Sequence, residues 1–141
     1  MSDEPLVAAA ARLLGADPGD AALASPELRF QQCDACGYLR HPSAPRCPEC
    51  LGADFHWQPD RGLGAIWSFC VYHRAFDPAF AQAVPYNVAL VELDTGPRLV
   101  SNVLGVEATE LRIGRRVRAE PREVAPGRHL VYFVLDESAT S

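Results

Sequence analysis

The sequence contains no lysine, and all 13 of its cationic side chains are arginine. That bias matches the codon usage of a GC-rich genome and identifies no chemistry by itself. No apolar run comes near the ~20 residues needed to cross a bilayer. The first residues, Met-Ser-Asp-Glu-Pro, are acidic where the leader of an exported protein is basic. Membrane insertion and export are not expected, so the expected setting is the cytoplasm. The usual carriers of catalysis are missing too. No Ser-His-Asp or Cys-His pairing stands out, there is no Gly-rich phosphate loop, and no His/carboxylate set has the spacing of a catalytic metal site. The chain is expected to have no active site of its own. A positive surplus is also absent. Its 18 acids against 13 arginines leave a net charge of -5, which disfavours a partner gripped by its phosphates, so nucleic acid is not an expected partner.

At 141 residues and 15.3 kDa, with 48% hydrophobic and 22% charged residues, the chain has room for one ordinary domain, or for a small domain beside a metal-stapled module. The acidic bias sits in the N-terminal arm. Residues 1–32 hold five acids and two arginines, whereas residues 62–141 hold nine acids and eight arginines. Arg112, Arg115, Arg116, Arg118 and Arg122 cluster, but Glu110, Glu120 and Glu123 interleave with them, as on a solvated strand face.

Pro5 to Leu14 is Ala-rich and helix-prone, with Ser2 or Asp3 placed to cap it and Gly15 placed to stop it. Ala16 to Pro26 reads as a linker from its Asp-Pro-Gly-Asp and Ala-Ser-Pro strings. From Leu28 to Trp57 aliphatic residues are scarce, so this stretch needs a staple in place of a core. After Gly62 the pattern becomes short apolar runs bounded by Gly, Pro or Asp: Ala65–His73, Tyr86–Asp94, Arg98–Leu104, Arg116–Val124 and His129–Leu135. In the first run, strict alternation puts Ala65, Trp67, Phe69, Val71 and His73 on one face, with Ser68, Cys70 and Tyr72 on the other. Asp94-Thr95-Gly96-Pro97 reads as a tight hairpin turn, and Thr109 to Ile113 as one helical turn. Five strands with a short helix between the third and fourth are the order of an OB-fold barrel. The expected architecture is mainly β, in three parts: N-terminal helix and linker at 1–27, metal ribbon at 28–61, five-stranded barrel at 62–141.

The staple is visible as two Cys-x-x-Cys knuckles, Cys33-Asp-Ala-Cys36-Gly-Tyr and Cys47-Pro-Glu-Cys50-Leu-Gly, ten residues apart. Zinc takes four thiolates at tetrahedral corners. Each knuckle offers two sulfurs, with Gly37 and Gly52 expected to close the two turns. Four cysteines leave no open coordination position, so the metal is expected to be structural Zn2+. Iron in a rubredoxin-like site satisfies the same spacing, and two disulfides are the other alternative, disfavoured in a reducing compartment. Four thiolates on a divalent ion carry a local charge of -2, which Arg40 and Arg46 on the intervening loop are placed to offset. Cys70 has no partner at ligand spacing and reads as a small buried hydrophobe. His41, His56 and His129 receive no role. The long connection His73-Arg74-Ala-Phe76-Asp-Pro-Ala-Phe80 carries two large apolar rings in a Pro- and Ala-rich loop. That marks His73, Arg74, Phe76 and Phe80 as candidate contacts to a partner.

A metal ribbon running into an OB-fold, with Phe69-Cys-Val-Tyr-His-Arg, then Pro85-Tyr-Asn-Val-Ala-Leu-Val-Glu-Leu-Asp-Thr-Gly-Pro-Arg-Leu and Ile113-Gly-Arg-Arg-Val, resembles the acyl-CoA-associated zinc-ribbon/OB-fold family over roughly residues 28–135. The resemblance implies a rubredoxin-like zinc ribbon and an accessory subunit that pairs with thiolase-superfamily enzymes or with enoyl-CoA hydratases. It implies a hetero-oligomer in ketothiolase or retro-aldolase complexes, including those that shorten steroid side chains. The large subunit would carry the catalysis, and the small one would buttress it and shape the acyl-CoA channel, with acyl-CoA at the shared interface. A free-standing acyl-CoA-binding protein and a single-stranded nucleic-acid-binding OB-fold protein are the alternatives from other classes.

Overall fold

The computed structural model describes residues 4–14, 26–41 and 43–137. Helix α1 spans Glu4–Leu14, with Glu4 in its first turn, where a carboxylate is favoured by the helix dipole. The expected cap at Ser2 or Asp3, the stop at Gly15 and most of the linker lie outside the described residues. The helix packs beside the connection that follows the first barrel strand and beside strand β7, described below, and Ala9 is fully buried there. No helix among the described residues is long and apolar enough to cross a membrane.

Strands β1 (Arg29–Cys33), β2 (Leu39–Arg40) and β3 (Phe55–Pro59) form an antiparallel sheet in the order β2-β1-β3. Alternation along β1 splits its residues between two surroundings. Leu28 and Phe30 are buried in the cluster that fills the barrel, so the ribbon is rooted in the barrel's core. Gln31 and Cys33 face the other way, opposite their registered partners Arg40 and Phe55.

The barrel consists of β4 (Leu63–Tyr72), β5 (Tyr86–Leu93), β6 (Arg98–Ser101), β7 (Arg116–Ala125) and β8 (Arg128–Leu135), antiparallel in the order β6-β5-β4-β7-β8. The sheet curls into a half-barrel whose edges meet through a parallel bridge between Val103 and Phe133. Leu104 N donates to Phe133 O at 2.8 Å, and Phe133 N donates to Asn102 O at 3.0 Å. Inside lie Ile66, Ala89, Val91, Leu99, Val117 and Phe133 with Phe30 of the ribbon. Two glycines permit the tight winding at the ribbon–barrel junction. A Cβ on Gly62 would collide with the Ala119 side chain, and one on Gly64 with the Glu92 carbonyl. Asp60 pins the same junction, accepting from Gly62 N at 2.8 Å and from the Thr95 hydroxyl.

The five expected strands and the hairpin at Gly96 (φ 117) are present. The helical turn is a 3-10 turn at Ala108–Glu110, slightly earlier than its expected place. The faces of β4 differ from strict alternation. The β4–β5 register slips between Ile66 and Ser68, so Trp67 is an extra, bulged residue. Gly64 and Ile66 point inward before the bulge, and Phe69 and Val71 pack against the core after it. Trp67 is left 49% exposed on the outer side. Cys70, expected to be a small buried hydrophobe, is instead exposed on the outer face opposite Val88, because Phe69 and Val71 take the core side of this half of the strand.

Candidate metal centre and docking face

The two knuckles repeat one hydrogen-bond pattern. Gly37 N donates to Cys33 O at 2.9 Å and Leu51 N to Cys47 O at 2.8 Å. Cys33 N donates to Tyr38 O and Cys47 N to Gly52 O, both at 2.9 Å. The left-handed residue of the first knuckle is Gly37 (φ 80), as expected. In the second it is Leu51 (φ 66), not Gly52. Gly52 serves space instead, because a Cβ there would stand 3.3 Å from Cys50 Sγ and 3.6 Å from Cys33 Sγ.

Cys33, Cys36, Cys47 and Cys50 bring their sulfurs within 4.8 Å of one another. Sulfurs of different knuckles stand 3.5 Å apart (Cys33–Cys50) and 3.6 Å apart (Cys36–Cys47). A tetrahedron with zinc–sulfur bonds of about 2.3 Å has edges of about 3.8 Å, so the cluster fits the ion. Proton affinities point the same way. Cys33 is lowered to about 6, first by the Cys36 backbone N–H, against desolvation and with help from the Ala35 N–H. Cys36 has the Tyr38 N–H lowering it, yet is pushed up to about 12 by desolvation and by the sulfurs of Cys47, Cys50 and Cys33. Cys47 is lowered and Cys50 raised. Two thiolates thus make the next two hard to form, a conflict that a divalent cation removes. With four thiolates filling its shell, the ion is structural Zn2+.

Hydrogen bonds from outside the knuckles hold this centre. Arg46 Nη1 donates to Leu51 O at 3.0 Å. His56, given no role from sequence, is fixed by Asp34 Oδ1 at Nδ1 (2.7 Å) and by Gln32 Oε1 at Nε2 (3.1 Å), which ties β3 to the first knuckle. His41 packs edge-on against Phe30. His129 lies 3.7 Å from Glu123, its registered partner on β7, a neighbour that only the strand pairing reveals.

The second feature is an apolar outer face. Tyr72 pairs with Tyr86, Cys70 with Val88, Ser68 with Leu90, and Leu90 with Val100, all outward because their neighbours Ala89, Val91 and Leu99 fill the core. An antiparallel sheet facing water normally presents polar residues there. Val100 is 73% exposed, and Arg98 lies over the Trp67 ring at 4.1 Å while bonding Glu92 at 2.9 Å. The loop after β4 extends this face. Phe80, in a 3-10 turn at Pro78–Phe80 capped by Asp77, stacks on Tyr86 at 5.2 Å. Tyr86 stacks on Tyr72 at 5.3 Å, and Tyr72 meets Phe76 edge-on at 6.1 Å. Phe80 is therefore half-buried in the chain's own aromatic ladder. Phe76 is 72% exposed at its outer end, with Arg74 over its ring at 5.3 Å and His73 exposed beside it. The arginine cluster is neutralised in part, with Arg116 bidentate to Asp94 and Arg122 paired to Glu120.

Residues 20–56 match the model of the ChsH2 rubredoxin-like zinc ribbon domain, and residues 57–122 that of the ChsH2 C-terminal OB-fold domain. A DUF35 domain-containing scaffold protein of Methanothermobacter thermautotrophicus is 33% identical over 98 residues, covering 69% of this chain and 73% of that protein. The chain belongs to the ChsH2/DUF35 family. Another relative, the "probable enoyl-CoA hydratase alpha subunit" of Thermomonospora curvata, is 41% identical over 106 residues. That match covers 75% of this ChsH2/DUF35 chain, which spans only 33% of the hydratase subunit's length. A chain in the solved Ltp2-ChsH2(DUF35) aldolase is similar at 39% identity with a TM-score of 0.70, covering 77% of this chain and 84% of that one.

Proposed function

We propose that this chain is the non-catalytic accessory subunit of an acyl-CoA enzyme, pairing with a thiolase-superfamily ketothiolase or retro-aldolase in a cytoplasmic hetero-oligomer. The observation that carries the reading is the apolar outer face of β4, β5 and β6, continuous with the aromatic ladder of the loop after β4. A face of this kind needs a partner to cover it. Family membership supports the reading, since one relative is named as a hydratase subunit and another forms part of an aldolase. In this reading Phe76 inserts into the catalytic subunit, Phe80 stiffens the loop from behind, and His73 and Arg74 meet polar groups of the partner or of acyl-CoA at the shared interface. The chain divides into an arm at 1–27, the zinc ribbon at 28–61 and the barrel at 62–141.

Co-purification of tagged variants with a thiolase-like or hydratase-like subunit of the same organism tests the docking face. Buried aromatic anchors commonly contribute ~2 kcal/mol or more, so Phe76→Ala is expected to weaken association about thirtyfold without moving the melting temperature. Phe80→Ala is expected to lower both, because Phe80 also packs within the chain. Association that survives Phe76→Ala and a Val100→Glu change on the sheet together contradicts the assignment of this face.

A further inference from the structure

Among the described residues Arg40 is the largest fully buried side chain, 1% exposed, and it pairs with no carboxylate of theirs. Its Nη1 donates to Ala44 O at 2.8 Å, its guanidinium lies 5.1 Å from the Phe55 ring centre, and Nε and Nη2 are buried with no hydrogen-bond partner among the described residues. A buried, half-satisfied cation is strongly destabilising unless negative charge lies close by. The strand register places a cysteine of the metal cluster on the same side of the sheet. Gln31 and Cys33 point to the same side of β1, Arg40 is registered opposite Gln31, and Phe55 opposite Cys33. Arg40 therefore shares its sheet face with a zinc ligand, one alternation along the strand. Gln31 Oε1 accepts from Ala44 N at 2.9 Å, so Gln31 and Arg40 together grip both polar groups of Ala44, three residues before Cys47.

We propose that Arg40 is the internal counter-ion of the metal centre: its guanidinium, oriented by the Ala44 carbonyl, answers the -2 charge of zinc held by four thiolates and so slows release of the metal. Arg46, exposed and bonded to the second knuckle, is secondary to it. Arg40 is a positioning and electrostatic residue, not a ligand. Partners just outside a metal's ligand shell typically change its affinity 10–100-fold.

The test measures, on the full chain, the rate at which a colorimetric chelator extracts zinc, alongside the melting temperature of the loaded protein. Arg40→Met is expected to speed extraction at least about tenfold, and Arg40→Lys, which keeps the charge, by less than about threefold. Gln31→Glu guards against a variant that fails to fold. It keeps an oxygen for Ala44 N and gives the unpartnered Arg40 nitrogens a carboxylate, so the melting temperature should hold while extraction speeds about tenfold, because the cation is now neutralised locally. Extraction equal to wild type in Gln31→Glu overturns the proposal. Equal acceleration in Arg40→Lys and Arg40→Met also overturns it, leaving only the mechanical grip on Ala44.

Discussion

Replacing Cys47 by serine separates what zinc holds from what the barrel holds. Cys47 is fully buried, so the substitution leaves three thiolates on the ion and a hydroxyl in a site shaped for sulfur. Structural zinc contributes about 10–16 kcal/mol in small modules, comparable with the about 5–15 kcal/mol that separates a folded domain from its unfolded chain. Residues 34–54 have little else to hold them, since among their described residues only Arg40 and Cys47 are buried. That segment should open. β1 should not follow it, because Leu28 and Phe30 sit in the barrel cluster, where each buried side chain contributes about 1.5–3 kcal/mol. The expected outcome is a Cys47→Ser chain with little bound zinc, cut by trypsin after Arg40 and Arg46 well before Arg116 or Arg118, and with the barrel's strand signal retained in circular dichroism. Full zinc content with an unchanged cleavage pattern refutes the reasoning about the metal. Simultaneous collapse of ribbon and barrel refutes the claim that β1 belongs to the barrel's core.

Two further expectations concern stability. Phe30→Ala empties a position at the ribbon–barrel junction and should cost about 3–5 kcal/mol in urea unfolding; a loss below about 1 kcal/mol would mean that Phe30 is not part of the barrel core. The Asp94 carboxyl is held below its usual value first by hydrogen bonds from Arg116, against desolvation and with help from the guanidinium's charge. A lowered folded-state value means that this contribution is complete above the unfolded carboxylate's value of about 3.9 and is lost as pH falls through the folded one. The Asp94 side chain is 54% exposed, so the pair contributes less than about 1 kcal/mol. Arg116→Met should melt slightly below wild type at pH 7 and together with it near pH 2, where a persisting gap would contradict the assignment.

The parts of this molecule written in local pattern were legible from sequence. The Cys-x-x-Cys spacing fixed the four ligands because each knuckle closes within its own six residues, and the barrel strands followed from apolar runs between Gly, Pro and Asp. Features created by pairing between distant segments were not. The bulge at Trp67 depends on how β4 meets β5, and it puts Gly64 and Ile66, in place of Ala65, on the core side with Phe69 and Val71. The aromatic ladder joins Tyr72, Phe76, Phe80 and Tyr86 across a loop whose path no periodicity encodes. Burial of Arg40 follows from its register opposite Gln31, whereas the sequence shows it only as one of two loop arginines placed to offset the thiolates' charge. The outer apolar face had one available signal, the near-continuous apolar run Val88-Ala-Leu-Val91, which is too apolar for a strand with one wet side.

The measurement closest to the central claim is reconstitution: acyl-CoA turnover by this chain alone, by a thiolase-like or hydratase-like subunit of the same organism alone, and by the two together. This chain in isolation is expected to show no turnover, and the two together to form a stable complex in which the partner turns over faster than it does alone. Turnover by the isolated chain, abolished by Cys70→Ala at the exposed thiol, would contradict that claim.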